Sequence, residues 1–231
     1  MKKIIVFCLA IPFFVSCSNI TGSGNIISEE RKLKEFTGIS ASGNIDVEVI
    51  SGDAQKVEVE ADDNVMEFIV TKVEGNTLKI RTRDVNLFNA HVKVYITAPF
   101  ISTLKASASA TIEAKDIIKS NGKITLAASS SADIIASVDA PEVVTDANSS
   151  GTVKVSGRTK YHKAESSSSA EILAYNLLSE NTVAHANSSG SIEVHASLNL
   201  DASANSSGSI KYRGTPALKS NTNSSGSVEK E

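Results

Sequence analysis

The chain has 231 residues, a formal net charge of −3, no Trp, and aromatic residues at only 5%. A mildly acidic chain without a basic cluster argues against a nucleic-acid partner and against attraction to anionic lipid. So few aromatics suit a thin core built mainly from Ile, Val, Leu, Ala and Ser.

The chain opens with Lys2 and Lys3, followed by an apolar run over 4–15 broken only by Pro12. That run is too short to span a bilayer and suits the core of a signal peptide. It ends in Phe14-Val15-Ser16-Cys17, which resembles the lipobox of bacterial lipoproteins, with Phe14 where that motif usually carries Leu. The resemblance implies a signal peptide over 1–16 and lipid on Cys17. Only Cys8 and Cys17 exist, and Cys8 leaves with the signal, so no disulfide can form and the remaining thiol needs a role. Residues 17–23 then read as the lipidated Cys and a polar tether, and two or more acyl chains give stable anchoring.

From 24 to 103 the pattern is β. Ile45-Asp46-Val47-Glu48-Val49, Val57-Glu58-Val59-Glu60 and Val92-Lys93-Val94-Tyr95-Ile96 alternate, and Gly75-Asn76 marks a turn before Thr77-Leu78-Lys79-Ile80. One helical turn is expected near 64–68. Phe36, Phe68, Phe88, Tyr95 and Phe100 are expected to thicken the core of this N-terminal module. It reads as a cap on the C-terminal half of the chain, or as the first part of one continuous structure with it.

From 104 to 231 a repeat takes over. Asn148-Ser149-Ser150-Gly151 returns as Asn187-Ser188-Ser189-Gly190, Asn205-Ser206-Ser207-Gly208 and Asn223-Ser224-Ser225-Gly226, each leading into an alternating strand. Weaker copies carry Ala110, Ala132 and Ala170 at the small position. The steps between small positions are 22, 19, 19, 20, 18 and 18 residues. A period near 19 is the mark of a solenoid. Each coil then holds two short strands and two turns, and stacking pairs each strand with its equivalent about 4.8 Å away. The small positions imply positive φ or too little room for a Cβ. Asn148, Asn187, Asn205 and Asn223 either form an amide ladder along the axis or cap their own turns locally. A calcium-binding β-roll is excluded because no regular Asp stands in the turns. The 19-, 20- and 22-residue steps do not fit coils of three hexapeptides. Regular Ile and Val insertion argues against a disordered Ser-rich linker.

The order of several weak motifs adds a family resemblance. These are Arg31-x-Leu33-x-x-Phe36-x-x-Ile39, Ser42-Gly43-Asn44-Ile45-Asp46-Val47, Gly75-x-x-Leu78-x-Ile80 and Val94-x-Ile96-x-x-Pro99-x-Ile101-x-x-Leu104, followed by the Ser-Ser-Gly turns. Together they resemble the auto-transporter adhesin family with a head GIN domain, known from Bacteroidetes. The resemblance covers about 24–231. It implies an all-β fold, a right-handed parallel β-helix (β-solenoid) of two main sheets, similar to pectate-lyase-like folds but without their catalytic residues. It also implies an adhesin-like role. The Ala-bearing turns depart from the family's Gly-Ser-Gly pattern and are expected to be less tight.

The search for chemistry yields little. His91, His162, His185 and His195 read as surface or turn residues, without a Cys to share a metal. The serines are copies of one another, and no Gly-x-Ser-x-Gly elbow occurs. Asp62, Asp63 and Glu67 read as a solvated loop with a weak calcium option. Lys79, Arg81 and Arg83 read as a solvated strand face that could meet an acidic glycan. Tyr161, Tyr175 and Tyr212 would stack on sugars if outward and fill coils if inward.

The sequence therefore predicts a non-enzymatic envelope lipoprotein without cofactor or metal, anchored through Cys17, with outer-membrane attachment expected. It is an adhesin-like or scaffold β-helix presenting a polar sheet face to a glycan or protein surface. The charged end Glu229-Lys230-Glu231 favours a monomer or closed oligomer. The rival is a polysaccharide-active enzyme on a pectate-lyase-like helix, which needs a groove of clustered ionisable groups.

Overall fold

A computed structural model describes residues 18–83 and 85–231; Cys17 and the signal segment lie outside the described residues. Strands dominate the described residues, with a 3₁₀ turn at Met66–Phe68 where a helical turn is expected. The repeat units stack in register. Thr111, Asp133, Thr152, Glu171, Ser191, Ser209 and Ser227, each following a small residue, are successive parallel partners. The small positions 110, 132, 151, 170, 190, 208 and 226 thus form one file down one corner of a β-solenoid.

Two main sheets run along the axis. Sheet A stacks Gly38–Ser42, Thr103–Ser107, Lys123–Ser129, then 142–148, 161–167, 181–186, Asn199–Asn205 and Ala217–Asn223. Sheet B stacks Asp46–Ser51, 111–114, 133–136, 152–154, Glu171–Ala174, Ser191–His195, Ser209–Arg213 and Ser227–Lys230. The middle coils add a short third face, 117–119, 137–140, 157–160 and 177–179. That face accounts for the longer steps, and the 18-residue coils lack it.

Residues 24–103 are continuous with the repeats. Thr103–Ser107 pairs with Gly38–Ser42 on one side and Lys123–Ser129 on the other. Residues 52–102 add one more rung, Thr77–Thr82 in parallel with Gly38–Ser42 and Val92–Ala98 in parallel with Asp46–Ser51. There Ile69–Glu74 lies antiparallel to Thr77–Thr82, and Lys56–Asp62 antiparallel to Val92–Ala98, covering the end of the solenoid. Ser18–Thr21, expected in a tether, is a strand paired in parallel with Val85–Phe88. Of the five aromatics expected to thicken this core only Phe36 is buried, whereas Phe88 and Phe100 are exposed. Alternation explains Tyr95, which points outward between inward Val94 and Ile96 and lies 4.8 Å from the Lys93 ammonium.

The corner has a uniform geometry. Each turn closes with a bond from the small residue's N–H to the carbonyl three residues before it, as Gly151 to Asn148 at 3.0 Å. The two residues between are left-handed, with φ 50° at Ser149 and 62° at Ser150, and the same pair recurs at every repeat. Two consecutive left-handed residues define a type I′ turn. Positive φ therefore falls on the Ser pair, and the small position answers the second need, room. A Cβ at Gly208 would lie 2.5 Å from the Ala186 carbonyl oxygen, and at Gly226 it would meet the Ala204 carbonyl oxygen still more closely. Where Ala stands, the corner gives. The turn bond is 3.2 to 3.3 Å at Ala110, Ala132 and Ala170 against 2.8 to 3.0 Å at the four glycines. These turns are looser, as their departure from the family pattern leads one to expect.

The core consists of inward files one residue wide. Ile112, Ile134, Val153, Ile172, Ile192 and Ile210 form one, all fully buried. Each such side chain contributes about 1.5–3 kcal/mol. Sheet A's equivalent file is mixed: Ile124, Val143, His162, Thr182, Leu200. His162, expected at a surface or turn, is 2% exposed, because its position continues an inward alternation. Its Nε2 lies 3.0 Å from Thr145 Oγ1, while Nδ1 is buried without a partner.

This geometry has two measurable consequences. Gly157 sits at φ +114°, and a Cβ there would collide with the Val138 carbonyl. Strain and overlap together make Gly157→Ala cost about 3 kcal/mol or more. Gly208→Ala, whose strain the Ala corners already absorb, should cost about 1 kcal/mol. Urea midpoints of the two variants check the order. Burial also pulls the His162 pKa down to about 4. Below the ordinary 6.5 the unfolded chain binds a proton that the folded chain refuses, so stability falls as pH drops from 6.5 to 4. The loss is about 3 kcal/mol. His162→Leu should remove that share of the pH dependence in urea titrations at pH 7 and pH 4.

Candidate functional site

The marked turn residues are structural. Gly43 opens the first corner at φ +97°, and there Ile45 takes the place of the small residue. Among the described residues no amide hydrogen bond joins any two of Asn148, Asn187, Asn205 and Asn223. Asn148 donates to Asp146 Oδ1 and Asn205 to Ser203 Oγ, each two residues away on its own strand. Ser167 stacks next to Asn148, so the four amides are not consecutive. An axial amide contact does occur at the opposite corner, where Asn199 Nδ2 donates to Asn181 Oδ1 at 2.8 Å. The repeat pattern did not mark those residues, because neither stands beside a Ser-Ser-Gly.

The acidic group fastens the N-terminal segment. Asp62, 2% exposed, accepts the N–H groups of Gly24 and His91, both at 2.7 Å. Asp63 accepts from Ser23 Oγ and Asn25 Nδ2, bonds that hold its carboxyl below the usual range. These oxygens are committed to the loop. Among the described residues no cluster of three His, Cys, Asp or Glu is arranged to hold a metal.

The tyrosines divide three ways. Tyr161 is 59% exposed on the outer surface. Tyr212 follows Val194 in an inward file of sheet B and packs on the core edge. Tyr175 lies flat under Arg213, whose guanidinium carbon is 4.1 Å from the ring centroid. Its pKa is pushed up to about 12 by burial, and then by the Glu193 and Glu231 carboxylates.

A concavity runs as a seam where the third face bends into sheet A. It has a volume of about 650 Å³ and crosses five coils, from Ser120 through 139–141, 158–160 and 178–180 to His195 and Ser197. At the stacking distance this is roughly 19 Å along the axis. Its floor is the buried file Ala140, Thr159 and Ser179. Thr159 and Ser179 each donate to the carbonyl two residues on, at 3.1 and 2.9 Å. One wall is the outward file Asp139, Arg158 and Leu178; the other carries Pro141, Lys160 and Glu180. Arg158 Nη2 donates to Asp139 Oδ2 at 2.8 Å, which lowers the carboxyl's pKa and raises the guanidinium's. The sequence pattern gave no sign of this seam. Its residues do not repeat from rung to rung, and the bend shows as the two successive outward residues, Pro141 and Glu142, between inward Ala140 and Val143.

Comparison with solved structures finds the same fold in Bacteroidetes proteins. A "putative adhesin" of Bacteroides fragilis superposes with a TM-score of 0.82 at 21% identity, over 91% of this chain and 99% of that one. A "putative lipid binding protein" of Parabacteroides distasonis gives 0.74 at 23%, over 93% and 100%. A "putative adhesin" of the same species gives 0.72 at 22%, over 93% and 100%. No curated protein matches the sequence. A family match covers residues 35–216, and the chain belongs to the family described as "Putative auto-transporter adhesin, head GIN domain".

Proposed function

We propose that this chain is a lipid-anchored, adhesin-like protein of the bacterial outer membrane that binds and does no covalent chemistry. The observation that carries the reading is how the side chains are spent. Inward positions fill a narrow core, and outward positions of sheet A form a rigid polar surface. In the seam Asp139 pairs with Arg158, which lowers its carboxyl's pKa, the opposite of the shift a general acid needs. Family membership and adhesin-described neighbours of the same fold support an envelope role. The anchor rests on Cys17 and the apolar run before it. Because the strand Ser18–Thr21 starts one residue later and docks on the capped end, the lipid would sit close to that end and the coils would extend away from it. The partner is a glycan or a protein surface, and the chain works as a monomer or closed oligomer.

Labelled palmitate fed to an expressing bacterium should enter the full chain and sediment with outer membranes, and Cys17→Ser should abolish both. Beads coated with residues 18–231 should adhere to a mucin-coated surface and leave its polysaccharides uncut. Unlabelled, freely soluble protein would remove the anchor, and shortened polysaccharide chains would replace the adhesin reading with an enzyme.

A further inference from the structure

We infer that the seam is a binding site for a linear, uncharged oligosaccharide lying along the solenoid axis; this rests on the adhesin-like reading and gives it a location. The cavity, about 650 Å³, is within the range of small-ligand sites. It crosses five stacked coils, so its occupant is extended along the axis.

The seam's chemistry selects among extended chains. Leu178 continues a file that reads Lys119, Asp139, Arg158, yet it is 57% exposed on the wall of the seam. The fold gains little from this side chain, and it offers an aliphatic contact to the C–H face of a sugar. Around it, hydrogen-bonding capacity is unspent. Among the described residues Lys160 and Glu180 make no ion pair, whereas Arg158 and Asp139 satisfy each other. A free cation and a free carboxylate within one groove call for a ligand with both donors and acceptors. Hydroxyl groups provide both. An acyl chain would leave both unpaired, a cost that grows with each polar group it covers. An anionic polymer would meet Glu180, and a cationic one Lys160.

The test is an array of neutral linear oligosaccharides probed with the protein, followed by titration of the retained glycan, with the β-1,4-linked glucose hexamer included as a defined probe. Lys160→Met and Glu180→Gln should each weaken binding by about tenfold, the effect of one charge-assisted hydrogen bond. Leu178→Asp should weaken it at least as much, and Lys154→Met, on the outward side of sheet B, should leave it unchanged. All four positions are at the surface, and a thermal melt verifies folding. The proposal is overturned if no neutral linear glycan is retained, or if a retained glycan binds all the variants equally. It is also overturned if only acyl chains or peptides bind the seam. Bead adhesion measured on the same variants separates the two readings: adhesion without glycan binding removes the seam and leaves the adhesin.

Discussion

The structure depends on a backbone ladder that runs through its left-handed corner. The N–H of the second αL residue in each turn donates to the carbonyl of the first αL residue in the next coil. This occurs from Ser109 to Ser130, Ser131 to Ser149, Ser150 to Ser168, Ser169 to Ser188, Ser189 to Ser206 and Ser207 to Ser224, at 2.9 to 3.2 Å. The carbonyl of each small residue then accepts from the coil beyond, as Gly190 does from Ser209 at 2.9 Å. Here the turn itself is part of the sheet, and a slip of one residue in any coil would break the ladder on both sides.

The corner contributes register more than stability. Two consecutive non-Gly residues at positive φ cost about 1–2 kcal/mol each. Against this stand three backbone hydrogen bonds per corner, the turn closure and two ladder bonds, at about 1 kcal/mol each. The sum is near zero. The surplus comes from the inward files, where one fully buried Ile per coil outweighs the corner's balance. A repeat marked so strongly in the sequence thus identifies the part that aligns the coils, while the part that holds them together is the plain alternation between the marks.

That division explains what the sequence revealed. The period and the Ser-Ser-Gly clusters located the corner file, and alternation assigned Ile192, Val194 and their equivalents to the interior. At the small position either positive φ or a lack of room for a Cβ was expected, and the four corner glycines show the second and not the first. Serine takes the positive φ here because the small position must instead clear the carbonyl of the coil beneath, as at Gly151 against Ala128. Asn at the corner invited an axial ladder, but Asp146 and Ser203 compete for those amides from two residues away. The buried histidine was not apparent from its residue type. Its position, in register with Val143 and Thr182, was the better guide. The seam was the least legible, since it arises from a bend within continuous strands, Asp133–Asn148 and Thr152–Ser167, and only the first carries a turn residue there, Pro141.

The bend and part of the polar interior have one cause. Thr145, Thr159, His162, Ser166, Ser179 and Thr182 are, among the described residues, the buried polar ones between 133 and 190, in three of the four coils that carry the third face. Turning a strand sharply takes some carbonyls out of line with the next rung, and a buried carbonyl without a donor is costly. Hydroxyls at the bend supply the donors: Thr159 to Tyr161, Ser179 to Asn181, Ser197 to Ser179 and, behind the seam, Thr182 to His195. An aliphatic side chain at 159 or 179 would fill the same space and leave those carbonyls bare. The coils near the C-terminus, with no third face to turn into, return to Leu200, Ala202 and Ala204 on sheet A. That part of the polar core is therefore the inner side of the concavity, and a solenoid of uniform 18-residue coils would have neither.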